Sequence, residues 1–346
     1  MKFLTHLFIA AAAMLTIVGC DSFQSLTGAK KTAQGSPYEV LVVCEGREWE
    51  SQLGEELKNL LETPVEMLNQ KEPMFNVVRI TPRDFKHLLP SYRNILKVLC
   101  SPSIKETAIL AQYDVVASPQ IVLTFQGPSI AAMVEYLNIN GKSLLQVLEI
   151  AERTRTIEYA KKQGAKALEK MIKEEFNIDM VVSNGFLFRA ESEDFLWASN
   201  EYPVASQGFF IYSHPFKGKE SVTTEALVKA RDAFAKRIPG PSDGSYMTTV
   251  KRIPNIEDDG YVEFMPQRKV VKIEGREWIE LRGFWEVEKD FMGGPFVIHA
   301  FYDKNNPGEI IVVEGFVYAP RYDKRDYIRQ VESILYSFDW KEDFGK

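Results

Sequence analysis

From Ser129 to Phe176 the chain carries sustained helical periodicity, with strand-forming sequence of two different kinds before and after it. Leu144, Val147, Leu148, Ala151, Ile157, Leu168, Met171 and Ile172 recur on one helical face. Ser129–Leu137 is expected to end near Asn140-Gly141, because glycine supplies the left-handed residue that stops many helices. Ser143 and Gln146 then resemble a capping box opening a second helix to Phe176, with a bend or break at Gly164. At 1.5 Å per residue that second helix would span about 50 Å, long enough to connect or brace two domains. A length of 346 residues also favours two.

Residues 38–127 read as an α/β domain. Tyr38–Cys44, Phe75–Ile80, Asn94–Leu99 and Gln120–Phe125 are apolar strand-like runs, and Glu48–Leu61 is an amphipathic helix ending before Pro64. Residues 128–176 are the connecting helices. Residues 177–346 read as α+β. Expected strands are Ile178–Val182, Phe186–Ala190, Phe195–Ser199, Gly208–Tyr212, Val270–Ile273, Trp278–Val287, Phe296–Tyr302 and Ile310–Tyr318. Thr224–Arg237 and Asp326–Ser337 are its expected helices. The fold class is therefore an α/β N-terminal domain joined by long helices to an α+β C-terminal domain, with a mainly antiparallel sheet and flanking helices.

The N-terminus carries an address. Lys2, the apolar run Phe3–Val18 and the closing Gly19-Cys20 have the parts of a secretory signal, and the end resembles a bacterial lipobox. The run is shorter than the roughly 20 residues that span a bilayer. Residues 1–19 are expected to be removed and Cys20 to be acylated, which would tie the protein to a membrane of the cell envelope through its N-terminal lipid. Residues 20–37 are polar and small and read as a flexible tether. The formal charge of −6, without a basic block, speaks against nucleic acid as a partner. Cys44 and Cys100 end two apolar runs and would either pair or remain free buried thiols. No metal-ligand spacing, cofactor motif or nucleophile elbow is present, so no metal or cofactor is expected.

Three segments concentrate unusual residues. In Gly283–Phe296, Gly293-Gly294-Pro295 predicts a tight turn, and Trp285, Phe291, Met292 and Phe296 must either pack or bind something. Glu286, Glu288 and Asp290 alternate beside them as a solvated face. Gly240–Met247 is a turn-rich loop with Ser245, Tyr246 and Met247. Phe316–Tyr327 sets Tyr318, Arg321, Lys324 and Arg325 between a strand and a helix start, a place that attracts a carboxylate or phosphate.

The same segments resemble a family of uncharacterised domains found in Gram-negative envelope lipoproteins. The likeness rests on Trp285-Glu-Val, Asp290-Phe-Met-Gly-Gly-Pro-Phe296, Phe316-Val-Tyr-Ala-Pro320 and Lys324-Arg-Asp-Tyr-Ile-Arg329, with Ser245-Tyr-Met247 and Ser118-Pro-Gln120 fitting the same pattern. The resemblance covers roughly residues 38–340 and carries no catalytic assignment. The C-terminal half is also similar to PsbP-like sandwich domains, which implies a binding or assembly role. The leading expectation is a lipid-anchored, non-catalytic envelope protein that meets a protein partner through Gly283–Phe296 and Phe316–Tyr327. A small-ligand pocket lined by Arg321 or Arg325 is the alternative, and a hydrolase using Ser245 with His214 or His299 is a third.

Overall fold

A computed structural model describes residues 30–340, apart from 204, 256–258, 274 and 305. The expected signal peptide, Cys20 and the expected tether as far as Ala29 lie outside the described residues. Two compact units divide the chain: residues before 65 together with 73–155, and residues 65–72 together with 156 onward.

The first unit is α/β. Its strands are β1 (Lys31–Thr32), β2 (Glu39–Val43), β3 (Asn76–Ile80), β4 (Asn94–Cys100), β5 (Ala108–Tyr113), β6 (Ala117–Ser118) and β7 (Ile121–Gly127). Its helices are α1 (Gly46–Trp49), α2 (Gln52–Leu61), α3 (Pro82–Leu88) and the first part of α4 (Ile130–Gln163). The sheet runs β3-β2-β4-β7-β5, parallel except for the β5 edge. Alternation along β2 explains the layers. Val40, Val42 and Cys44 meet Leu53, Leu57 and Leu61 of α2 and Met133, Leu137 and Leu148 of α4, whereas Leu41 and Val43 turn to the side of Phe85 in α3. Ser51 opens α2 by accepting from the Leu53 N–H at 3.2 Å. The end of the expected tether is ordered, since β1 pairs in parallel with β6 through Lys31 and Ala117.

The helical stretch departs from expectation at Asn140-Gly141, through which α4 runs unbroken. Asn140 donates its side-chain amide to the Tyr136 carbonyl one turn back, at 3.2 Å. A Cβ at Gly141 would stand 3.1 Å from a methyl of Leu60, so the glycine lets α2 approach the helix and does not end it. The division between units falls inside α4, after Arg155. Gly164 separates α4 from α5 (Lys166–Phe176), and Asn177 closes α5 in the left-handed region at φ 54°.

The second unit continues with β8 (Ile178–Asp179), β9 (Leu187–Ser192), β10 (Phe195–Glu201), β11 (Ser206–Pro215), α6 (Thr224–Ala235), β12 (Met247–Thr249), β13 (Arg252–Pro254) and β14 (Tyr261–Glu263). It ends with β15 (Gln267–Ile273), β16 (Arg276–Val287), β17 (Gly293–Tyr302), β18 (Glu309–Tyr318), α7 (Arg325–Tyr336) and β19 (Asp339–Trp340). The main sheet is antiparallel, in the order β12-β16-β17-β18-β11-β10-β9, with β15 also paired to β16. One face packs on α5 and α7 through Ile172, Ile328, Val331 and Leu335, and the other packs on α6 through Leu227, Val228 and Ala235.

Segment 65–72 belongs to this unit although it interrupts the sequence of the first. Leu68 packs on the α7-side core. The Glu72 carboxylate accepts from the backbone N–H groups of Lys324 and Arg325 at 2.8 and 2.7 Å. The Lys324 side chain does not cap α7, so a remote carboxylate satisfies the first exposed N–H groups and meets the positive end of the helix dipole. Among the described residues no helix is long and apolar enough to cross a membrane.

Candidate functional site

All three singled-out segments meet, the third through its Phe316–Tyr318 end, which is the end of β18. Met247 pairs with Val287, the Glu288 N–H donates to the Tyr246 carbonyl at 2.9 Å, and the Ser242 hydroxyl donates to Asp290 at 2.9 Å. Trp285 donates its indole N–H to the Val317 carbonyl at 3.2 Å, with its ring 6.4 Å from that of Tyr318.

The expected turn at Gly293-Gly294-Pro295 lies instead inside β17, where Gly294 pairs with Trp285 and Pro295 with Phe284. A Cβ on Gly294 would stand 2.0 Å from the Val317 carbonyl oxygen, so the glycine serves close strand approach. The chain reverses one step earlier, around Lys289 at φ 67°, and the Val287 N–H closes the turn on the Met292 carbonyl at 2.9 Å. At its tip Phe291 is completely exposed, 106% of the reference area, while Met292 packs partly on the α6-side core. Burial and the neighbouring Glu288 push the Glu286 carboxyl upward.

Several candidate residues have interior duties. Trp285 is 2% exposed and Met247 is buried, so both are core and not contact surface. Ser245 is buried, and its hydroxyl donates to the Ser242 carbonyl at 2.5 Å, closing its own loop. His299 is engaged elsewhere, with Glu280 at 3.2 Å. Lys324 and Arg325 are buried at the start of α7, while Arg321 is exposed. The anion expected at that helix start is the chain's own Glu72. The disulfide is not formed: Cys44 and Cys100 are free thiols, and burial, with Glu48 next, pushes the Cys44 thiol up to about 12.

The sequence reading missed a charged cluster beneath α7. Antiparallel pairing sets Glu280 opposite both His299 of β17 and Lys269 of β15, and Gln267 opposite Arg282. Arg282 donates through Nε to Glu280 at 2.6 Å and through Nη1 to Glu332 of α7 at 2.5 Å. Arg329 donates to the other oxygen of Glu332 at 2.9 Å. Lys269 stands 3.1 Å from both Glu280 and Glu66. Burial alone would neutralise Glu280, but Arg282 and His299 outweigh it and hold the carboxyl well below its usual range. At Glu332 burial is likewise outweighed by Arg282 and Arg329, and the carboxyl falls to about 2.

Burial lowers the His299 pKa despite the opposing pull of Glu280. A carboxylate only accepts, so His299 Nε2 carries the proton, and buried Nδ1 makes no hydrogen bond. Beside the cluster opens a cavity of about 260 Å³, lined by Glu66, Gln267, Arg268, Lys269, Glu280 and Arg282.

A smaller ion pair lies on the opposite face. Arg231 of α6 donates to Glu314 of β18 through Nε at 3.0 Å and Nη2 at 2.7 Å, and through Nη1 to Thr249 at 3.0 Å. Burial there exceeds the pull of Arg231 and raises the Glu314 carboxyl to about 7. Among the described residues no group of three or more His, Cys, Asp or Glu side chains could hold a metal ion.

No curated protein matches the chain. A mutant of protein Mog1 is similar at 9% identity with a TM-score of 0.28, covering 48% of this chain and 92% of that one. The human StarD13 (DLC2) lipid transfer and protein localization domain is similar at 9% identity with a TM-score of 0.21, covering 49% and 95%. Residues 33–161 match the domain of unknown function DUF8532. Residues 165–337 match the domain of unknown function DUF4837 over half of the sequence, and the chain belongs to that family.

Proposed function

We propose that the protein is a lipid-anchored, non-catalytic binding or assembly protein of the cell envelope, in which the β16–β17 turn meets a protein partner. The observation that carries this reading is Phe291, an entirely exposed aromatic on a turn held by the Ser242–Asp290 and Val287–Met292 hydrogen bonds. A large ring left in water on a fixed backbone needs little ordering when it is buried by a partner. Exposed Glu286 and Glu288 flank it, so the matching surface is an apolar recess with a basic rim. Buried carboxylates and guanidiniums in the second unit neutralise one another, which suits a scaffold more than a reaction centre. An antiparallel sheet with helices packed on both faces supports reading the unit as a PsbP-like sandwich.

Cys20→Ser is expected to abolish incorporation of labelled palmitate and membrane retention. In envelope crosslinking, Phe291→Ala is expected to lose a partner that wild type captures, at unchanged thermal stability. Glu286→Lys with Glu288→Lys should weaken the same capture. An identical set of crosslinked partners in the Phe291 variant would refute the contact.

A further inference from the structure

The cavity beside Glu280 differs from the rest of the charged interior in what it leaves unused. Both Glu280 oxygens are engaged, one by Arg282 and Lys269 and the other by His299. Both Glu332 oxygens are engaged too, by Arg282 and Arg329. Acceptors are thus saturated. Donors are not. Arg282 lines the cavity and bonds through Nε and Nη1, and among the described residues its Nη2 has no hydrogen bond. Lys269 holds two carboxylates and has a third N–H. Gln267 stands across from Arg282 in the strand register, on the same face of the sheet.

We propose that this cavity binds a small oxyanion, a carboxylate or a phosphate, between Arg282 Nη2 and Lys269 Nζ, with the Gln267 amide beside it. Two cationic donors converging on one oxyanion give short, charge-assisted hydrogen bonds. Glu280 does not repel the anion strongly, because Arg282, Lys269 and His299 already face its charge. The rim carboxylate is different. Glu66 is exposed and, among the described residues, bound only to Lys269, at 3.1 Å, so an incoming anion competes with it for the same ammonium. Glu66 acts as an internal stand-in for the ligand.

The test titrates the whole chain with inorganic phosphate and, separately, with acetate at constant ionic strength, following the amide resonances of residues 267–269 and 280–282. Saturable shifts with at least one probe are expected, and the probe that saturates separates a phosphate from a carboxylate ligand. Glu66→Gln should tighten that binding about threefold or more by removing the competitor, and Lys269→Gln should weaken it by roughly tenfold. Both positions are substantially exposed, so the variants should fold. Absence of saturation with either probe up to roughly 50 mM, or equal binding by wild type and Lys269→Gln, overturns the proposal.

Discussion

The two faces of the second sheet both bury carboxylates, and they resolve the same electrostatic problem in opposite ways. Under α7, Glu332 lies between two guanidiniums, and its charged form is favoured strongly enough to bring it to about 2. Under α6, Glu314 has Arg231 alone, with Asp232 adding repulsion, and its carboxyl rises to about 7. Burial is the largest influence against charge on both sides. What differs is the number of cations per carboxylate: Glu332 has two, whereas Glu314 has only Arg231, which also faces Asp232 at 3.5 Å. A carboxylate between two cations keeps its charge. One that shares its single cation rises towards neutrality.

The strongest way to break this contrast is Glu332→Ala, which strands Arg282 and Arg329 without their shared counter-charge. It should cost about 3–5 kcal/mol, read as a lower urea midpoint. A subtler probe replaces both members of the lone pair. Arg231→Met with Glu314→Leu should change stability by less than about 1–2 kcal/mol, or raise it, since a packed apolar pair escapes the desolvation penalty. If that double variant is as damaging as Glu332→Ala, the two faces are not different in kind.

A separate test of the contrast is a pair of opposed pH slopes. Between 4.5 and 7 native Glu314 keeps a proton that the unfolded chain has released, so its stabilisation is full below 4.5 and is lost as pH rises towards 7. Glu332 does the reverse: its contribution is full above 4.5 and is lost as pH falls towards 2. Urea titrations across pH should show Glu314→Gln flattening the neutral-side decline and Glu332→Gln the acid-side one. Equal slopes in wild type and both variants would contradict the assignment.

Much of the fold was legible because burial and periodicity coincide. The apolar runs near Val40, Ile95 and Leu123 are strands as expected, and α7 starts one residue before the reading from Ile328, Val331 and Leu335. Helix α3 and strand β5 were missed; Pro82 at the first turn of α3 was the available signal, while β5 shows only partial burial. Phe291 was legible as an aromatic in a turn, but Trp285 two strand steps before the reversal could not be separated from it without knowing that β18 covers it. The charged cluster escaped because Glu280 and Arg282 alternate as solvated residues do. Their placement among Trp278, Ile279 and Leu281, and of Arg329 and Glu332 on the apolar side of α7, was the overlooked sign.

Glu72 at the start of α7 has a consequence for how the protein is made. The octapeptide 65–72 leaves the ribosome some 250 residues ahead of the two amides it will cap, at Lys324 and Arg325. Until they arrive, a strip of what becomes the second unit hangs from the growing first one. The contiguous stretch 165–337 that defines the family therefore leaves out a segment that this chain packs into the same unit. Expressed by itself it would have a bare helix end and a missing cavity wall, and the peptide that completes both would have to be supplied from outside.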